Sequence, residues 1–357
     1  MVSATKYGSQ FRATGAGMDW FERLTGFREL DYESTRSNLA VEGARLRSLI
    51  NGKSFAIGDL ELASLHSLRG RAQSAGAPSG QLKVSVVTGD VRELMRRPEY
   101  SGALFQVASQ FNMLEMTSPE ITPEHGVTRY QHDHTQGPAC AIAAGAATIY
   151  RNYFAPAGDS YGQTRDRQLD GLAAVGEALS VATGRPVNKL WRMQNGYALC
   201  SADGLNAIAD CLASSNGQES DSLRGELRIG LHRDVEVIDG AGERRPLVSQ
   251  AFCSALPVAY SSVPTPLWRP FASLVLEAAY EATLWSAVLN VNRGASNIVL
   301  LTSLGGGAFG NDASWIDDAI RRALELMAGY DLDVRIVSYG APPETLLRLV
   351  RAFQQES

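Results

Sequence analysis

A glycine cluster late in the chain has the residue types and spacing of a phosphate-binding loop. The apolar stretch 297–302 leads into consecutive glycines, and an amphipathic stretch follows at 315–327. This order predicts a strand, a tight turn and the start of a helix. Glycine lets main-chain N–H groups approach an anion, and a helix N-terminus adds a partial charge of about +0.5. The predicted diphosphate contacts come from Gly305, Gly306, Gly307, Ala308, Phe309, Gly310 and Asn311.

The same loop has two other interpretations. One is an ordinary flexible turn, and the other is the dinucleotide pattern G-x-G-x-x-G, which Gly305, Gly307 and Gly310 satisfy. In a Rossmann fold, that pattern opens the first βαβ unit, and an acidic residue ends the next strand about 20 residues later. Here the loop lies in the last sixth of the chain, and Asp331 and Asp333 precede the next predicted strand. A Rossmann-type NAD(P)-dependent enzyme is therefore the alternative.

The composition indicates a globular protein of one large domain or two. The 357 residues are 45% hydrophobic and 20% charged, with a net charge of −5, so a large core can form. Mixed charges without a basic stripe argue against a nucleic-acid partner. No apolar run approaches the roughly 20 residues of a membrane span, and residues 1–17 lack a signal-peptide core. We therefore expect no membrane partner and a cytoplasmic location.

The cysteines and histidines predict no metal site. The cysteines lie in apolar stretches without the paired spacing of zinc ligands, which predicts buried free thiols. His132, Asp133 and His134 form a cluster, but no second group of ligands completes a set. We therefore predict neither a metal nor a cofactor. The four cysteines are Cys140, Cys200, Cys211 and Cys253.

The chain divides into an accessory region and a larger α/β domain. Residues 1–80 are predicted to hold short helices near 20–24 and 37–41, and a hairpin around the Asn51-Gly52 turn. The Gly- and Ser-rich stretch 74–80 marks the predicted boundary to a domain at 81–357. Predicted strands lie at 83–88, 104–108, 197–200, 227–231, 248–255, 298–302 and 334–338. Predicted helices lie at 140–152, 168–183, 204–213, 271–289 and 315–327.

Several of these strands are continuous apolar runs, which is typical of strands buried on both faces of a sheet. This pattern predicts an α/β/α layered fold. The aromatic residues of the predicted helix at 271–289 and its lead-in recur at helical spacing, which indicates core packing. They are Trp268, Phe271, Tyr280 and Trp285.

Four signposts occur in an order that resembles the macrodomain superfamily. The first predicted strand ends in Thr88-Gly89-Asp90-Val91, the next leads to Asn112, a loop opens the helix at Cys140, and the glycine loop comes last. The resemblance covers about residues 82–340, with an insertion at about 153–225. It implies a three-layer α/β/α macrodomain-like mixed sheet. The chain departs from the usual Asn-Ala-Ala-Asn with Ala108-Ser-Gln-Phe-Asn112, and from the usual catalytic-loop glycine run with residues 135–139. With these departures it is similar to the divergent MavL-like group of arginine-specific hydrolases.

The resemblance implies that the cleft binds ADP-ribose, as ligand or product. Asp90 would accept a hydrogen bond from the adenine amine, Val91 would add a backbone contact and Tyr339 would stack on the base. The alternatives are a turn-forming or capping Asp and an aromatic residue of the core. The residues expected near the ribose rings are Gln110, Asn112, Gln136 and Gly137.

Cleavage of an N-glycosidic bond passes through an oxocarbenium-like state that a carboxylate stabilises. Glu115, Asp312 and Asp133 are the predicted catalytic acids, and Glu124 is a further candidate. Asp312 is equally a candidate helix cap, worth about 1 kcal/mol. A second acid would hold a protonated guanidine leaving group.

The predicted activity is therefore hydrolysis of protein-linked ADP-ribose, with arginine favoured and ubiquitin as one possible modified partner. A non-catalytic ADP-ribose reader is the second alternative. Such a reader would keep Asp90 and the glycine loop without needing any of the candidate acids.

Overall fold

The computed structural model describes residues 17–76, 79–238 and 245–355. Of Gln355, only the main chain is described. The predicted polar N-terminus, part of the predicted 74–80 linker and the last two residues of the predicted 81–357 domain lie outside the described residues.

The described chain begins with a small helical and antiparallel unit. Its elements are α1 (Trp20–Thr25), α2 (Tyr32–Ser37), β1 (Leu39–Glu42), β2 (Arg45–Ser48) and β3 (Ser54–Ala56). β2 pairs with β3 across the Asn51-Gly52 turn, which confirms the predicted hairpin. The predicted helix at 37–41 is wrong. Asp31 caps α2 earlier by accepting a hydrogen bond from Ser34 N, and Leu39 already pairs with Ser48.

The remaining strands are β4 (Asp59–Ser64), β5 (Lys83–Thr88), β6 (Leu104–Ala108), β7 (Pro156–Ala157), β8 (Ser160–Tyr161), β9 (Trp191–Gln194), β10 (Tyr197–Cys200), β11 (Arg228–Glu236), β12 (Leu247–Cys253), β13 (Ile298–Leu301) and β14 (Asp333–Ser338). The predicted strands at 83–88, 104–108, 197–200, 298–302 and 334–338 agree with the structure to within one residue at each end. The predicted strand at 227–231 continues to Glu236, and three short strands at 156–157, 160–161 and 191–194 were not predicted.

The remaining helices are α3 (Leu65–Ser74), α4 (Val91–Arg96), α5 (Gln136–Ala143), α6 (Gly145–Tyr153), α7 (Ala173–Thr183), α8 (Val187–Leu190), α9 (Ala202–Ser214), α10 (Gly217–Glu226), α11 (Thr265–Asn292), α12 (Ala313–Leu326) and α13 (Glu344–Gln355). The predicted helix at 140–152 is two helices, because Ala144 leaves the helical conformation. The predicted start at 168 is wrong, since α7 begins at Ala173 and the Gln168 side chain bonds Asn112 and Asn195 instead.

A mixed sheet lies at the centre of the described chain, in the order β4-β11-β12-β6-β13-β14-β5. The five strands from β12 to β5 are mutually parallel, whereas β11 runs antiparallel to both of its neighbours. Alternate side chains enter different cores, because successive residues of a strand point to opposite faces. Leu104 and Val299 pack with α3, α11 and α12, whereas Phe105 and Leu300 pack with α4 and α5. The predicted three-layer α/β/α mixed sheet is therefore confirmed.

The aromatic residues and cysteines that were predicted to be buried are buried, except Cys211. Trp268, Phe271, Tyr280 and Trp285 are all buried on α11. All four cysteines are free, and all but the half-buried Cys211 are buried.

The first 80 residues contribute to the central layers. β4 pairs with β11 at one edge of the sheet, and α3 packs with α11 through Leu65 and Leu68. The earlier elements pack separately against α6, where Trp20, Phe21 and Ile149 share a core. The boundary predicted at residue 80 thus falls after an edge strand and a layer helix of the main sheet.

Candidate functional site

The parallel strands deliver their carboxyl ends to one edge of the sheet, and two adjoining cavities open there. The first, of about 150 Å³, lies beside the ends of β6 and β13 and contains Glu115. The second, of about 610 Å³, lies beside the ends of β5 and β14 and contains Asp90. Thr135, Gln136, Thr302 and Ser303 line both, so the Glu115 cavity and the Asp90 cavity form one cleft.

The side chain of Gln136 shapes the wall of this cleft. β13 pairs with β6 at Leu104 and Phe105. Further along β6, Gln136 Oε1 accepts a hydrogen bond from Ala108 N at 2.9 Å, and its Nε2 donates to Gln106 O at 2.9 Å. The amide thus occupies two main-chain groups of the strand, as a paired strand would. Gln136 therefore lines the cleft, and its amide supports the wall.

Asp90 lies at the far end of the cleft as the N-cap of α4. Its Oδ1 accepts a hydrogen bond from Arg92 N at 2.8 Å. This oxygen therefore acts as a helix cap, which was the alternative to adenine binding. Val91 and Tyr339 line the same cavity. Tyr339 is 83% exposed and does not belong to the core, which leaves its ring face open to a planar ligand.

The glycine loop forms the middle of the cleft and leaves several donors open. Among the described residues, the N–H groups of Gly305, Gly307, Ala308 and Phe309 make no hydrogen bond. Gly305 has φ +72°, a conformation in which a side chain is strained, and a Cβ there would collide with Ala255. Open N–H groups at successive positions make an anion site, so the loop has the geometry of the predicted diphosphate contact.

Of the last two residues of the loop, only Asn311 lines the cleft. Asn311 lines the Asp90 cavity. Its Nδ2 donates to Leu256 O at 2.8 Å, whereas its buried Oδ1 has no partner among the described residues. Gly310 turns the chain with φ +70° and lines neither cavity.

Glu115 is the buried acid of the cleft. It is 4% exposed, and its Oε1 has no hydrogen-bond partner among the described residues. A Cβ on Gly137 would collide with Glu115 Oε2, so the glycine permits the carboxyl group to lie against the first turn of α5. Desolvation by burial raises the pKa of Glu115 well above its usual value. A desolvated carboxyl group without a partner is costly and typical of a functional site.

Buried contacts hold the loop that carries Glu115. Arg151 is fully buried and donates from Nε to Met113 O at 3.0 Å, and Glu115 N donates to the Tyr130 hydroxyl at 3.1 Å. Met113 itself has φ +63°, unusual for a residue with a side chain. Burial lowers the pKa of Arg151 to about 10, and its charge opposes the rise in the pKa of Glu115.

Three aromatic rings line the Glu115 cavity, and two of them were not predicted. Tyr197, Tyr260 and Phe309 have ring centroids 5.1 to 5.6 Å apart. Tyr197 comes from the insertion, and Tyr260 follows β12 in a short 3₁₀ turn (Val258–Tyr260). No local sequence pattern marks Tyr197 or Tyr260 as a cavity residue.

The predicted catalytic acids lie in different places. Asp133 lines the Glu115 cavity, where its Oδ1 accepts hydrogen bonds from Thr135 N and Oγ1. Asp312 lines neither cavity and caps α12, since its Oδ1 accepts from Ser314 N at 2.8 Å. Glu124 lies apart from the cleft, where its Oε1 accepts from Arg165 N. The geometry thus favours Glu115, with Asp133 beside it.

The two predicted ribose-binding amides are engaged in the protein. Gln110 lines the Glu115 cavity, but its Oε1 accepts from Met116 N and its Nε2 donates to Met116 O. Asn112 is fully buried outside both cavities, where it donates to Gln168 Oε1 and accepts from Leu114 N. Both side chains therefore hold the Glu115 loop in shape.

Within residues 17–76, 79–238 and 245–355, no group of three or more His, Cys, Asp or Glu side chains is arranged to hold a metal ion. Over the same residues, no helix combines the length and apolar character needed to cross a membrane.

The sequence matches no protein-family model and no curated protein. The structure is similar to solved poly(ADP-ribose) glycohydrolases. One, from Deinococcus radiodurans in complex with ADP-ribose, shares 12% identity with a TM-score of 0.45 over 84% of this chain and 95% of that chain. Another, from Thermomonospora curvata, shares 13% identity with a TM-score of 0.42 over 91% and 96%. Similarity at these TM-scores is too weak to support a functional conclusion.

Proposed function

We propose that this protein is a macrodomain-like hydrolase that removes ADP-ribose from modified proteins, and from arginine side chains in particular, as in the MavL-like group. The observation that carries the proposal is the buried, unpartnered carboxyl group of Glu115 at one end of a cleft. The open N–H groups of the glycine loop line the same cavity as this acid, and Asp90 lies in the adjoining cavity.

Each part of the cleft has a role in this proposal. Adenine lies in the larger cavity, against the Tyr339 ring and within reach of Asp90 and Val91. The diphosphate accepts hydrogen bonds from the glycine loop, which compensates its charge without a cation. The unpartnered Asn311 Oδ1 accepts from a hydroxyl group of the ligand. The distal ribose then lies beside Glu115 and Gly137.

The ionised form of Glu115 supports the reaction in two ways. It stabilises the positive charge that develops on the ribose as the C1″–N bond breaks, and it orients a water molecule for attack at C1″. The water adds its oxygen to C1″ and passes one proton to Glu115, while the electrons of the C1″–N bond leave with the guanidine nitrogen. That nitrogen takes up the proton from Glu115, so the arginine side chain departs as a guanidinium ion and Glu115 is ionised again. The products are ADP-ribose and the unmodified arginine side chain.

The deciding experiment measures release of ADP-ribose from proteins modified on arginine, serine or glutamate, with ADP-ribosylated ubiquitin among the arginine substrates. We expect release from the arginine substrates. Release from another linkage alone would refute the arginine specificity. Binding of ADP-ribose without release from any substrate would identify a reader, and preference for NAD(P) over ADP-ribose would identify a dinucleotide enzyme.

Two acid substitutions test which carboxylate performs the chemistry. Glu115→Gln is expected to lower the single-turnover rate by about 10²- to 10⁴-fold, the usual contribution of a positioned acid or base. Asp312→Asn is expected to have the smaller effect, because Asp312 caps a helix outside the cleft. If Asp312→Asn abolished release while Glu115→Gln remained active, the assignment to Glu115 would be wrong.

A further inference from the structure

The Glu115 cavity combines acidic side chains and aromatic rings. Glu115 and Asp133 are its acidic residues, and Tyr197, Tyr260 and Phe309 are its rings. Among the described residues, no Lys, Arg or His side chain lines it. The carboxyl groups and ring faces at this end of the cleft therefore favour a positive leaving group over a neutral one.

The rings differ in how much surface they offer. Tyr197 is 1% exposed, and its hydroxyl group donates to Met116 O at 2.6 Å, so it supports the cluster from within. Tyr260 is 38% exposed and Phe309 is half-buried. A ring face within about 6 Å of a cation attracts it through the ring quadrupole, and more strongly where water is excluded.

Asp133 adds a negative charge at the same place. Its Oδ1 is held by Thr135 N and Oγ1, and its Oδ2 makes no hydrogen bond within the described chain. The carboxyl group is thus fixed in orientation while one oxygen stays open. Together with the unpartnered Glu115 Oε1, it offers acceptors for a planar donor such as a guanidinium group.

We propose that Tyr260, Phe309 and Asp133 form a subsite that selects a cationic leaving group. This inference rests on the proposed function and specifies which residues set the choice of linkage. It places arginine-linked ADP-ribose before serine-linked ADP-ribose and poly(ADP-ribose), because among these three only the arginine linkage has a cationic leaving group.

Tyr260→Leu tests the contribution of the ring, since leucine keeps apolar volume and removes the π face. The ratio of kcat/KM for arginine-linked over serine-linked ADP-ribose is expected to fall about 3- to 30-fold, the range of one cation–π contact. Tyr260→Phe keeps the ring and should retain the wild-type ratio. Tyr161→Leu replaces an exposed tyrosine outside the cleft and controls for the loss of a surface ring.

Asp133→Asn tests the charge, because asparagine keeps an oxygen that can accept from Thr135. It is expected to lower the rate with the arginine substrate more than the rate with the serine substrate. Equal losses for both linkages in the Tyr260→Leu and Asp133→Asn variants would overturn the inference, and so would equal wild-type rates with poly(ADP-ribose) and arginine-linked ADP-ribose.

Calorimetric binding separates failure of the inference from failure of the proposed function. If the wild-type protein releases nothing, the hydrolase proposal fails, and the affinities for ADP-ribosyl-arginine and ADP-ribosyl-serine decide the subsite alone. Tighter binding of the arginine compound, lost in Tyr260→Leu, would support the subsite. Equal affinities would refute it.

Discussion

Glu115, the proposed catalytic acid, is a single residue whose burial opposes stability. Its carboxyl group is buried without a hydrogen-bond partner for Oε1. In an unfolded chain the group would ionise near its usual pKa of 4.5, whereas burial raises the pKa well above that in the folded protein. Between the two values, the unfolded chain has released a proton that the folded protein retains. The free energy of unfolding therefore falls as pH rises through this window.

A thermal unfolding series of Glu115→Gln against pH tests this sign. Glutamine does not titrate, so the variant avoids the cost of ionising a buried group. Its melting temperature relative to wild type is expected to rise as pH increases above about 4.5 and to level off above the raised pKa. The exposed Glu177→Gln variant controls for the substitution. A difference that shrinks with rising pH would contradict the assigned environment.

At the scale of one element, the glycines of the loop between β13 and α12 differ in why a glycine is needed. Gly305 has φ +72°, and a Cβ there would collide with Ala255 and Asn311. The space beside Gly307 is open, since a Cβ there would meet no atom within 4 Å. The first glycine serves the turn, and the second leaves an open N–H group beside the cavity.

Alanine substitution at each position is expected to separate stability from binding. Gly305→Ala should lower the free energy of unfolding by at least about 1–2 kcal/mol, the strain of a left-handed residue. Gly307→Ala should change stability by less than about 0.5 kcal/mol but weaken ADP-ribose binding about tenfold, or 1.4 kcal/mol. Denaturant unfolding and calorimetric titration measure the two effects. Alanine keeps the N–H group, so the expected loss comes from a Cβ that stands where the diphosphate approaches. Unchanged affinity in Gly307→Ala would show that the diphosphate does not lie against this residue.

At the scale of the whole molecule, the residues before position 80 help to complete the main sheet. β4 covers one edge of β11, and Leu65, Leu68 and Ala72 of α3 are fully buried. Arg69 of the same helix forms an ion pair with Glu281 of α11, whose side chain is 2% exposed. Removing β4 and α3 would uncover apolar surface and leave a buried carboxylate with fewer partners.

A chain that starts at Gln81 is therefore not expected to fold cooperatively. Each lost buried leucine costs about 2–5 kcal/mol, against the about 5–15 kcal/mol of a typical domain. Circular dichroism during heating should show no sharp transition, whereas a chain that starts at Gly17 retains every described element and serves as the reference. Equal melting temperatures would show that the predicted boundary at residue 80 separates an independent domain.

The sequence by itself determined the parts of the fold that depend on local pattern. Apolar runs predicted β6 and β13 with nearly correct bounds, because strands buried on both faces need such runs. The consecutive glycines identified the turn after β13, since few other residues allow its backbone. Asp90 was a candidate because it follows the end of a predicted strand, and Glu115 because it lies three residues after Asn112.

Only the tertiary structure decided which candidates share the cleft. Asn112 and Asp312 have suitable residue types, but a buried hydrogen-bond network holds the first and a helix cap engages the second. Tyr197, Tyr260 and Arg151 reach the Glu115 region from distant segments, and no local pattern predicts such contacts. The reason is physical: side-chain chemistry is a property of the residue, whereas burial, charge and proximity arise from packing between segments far apart in the chain.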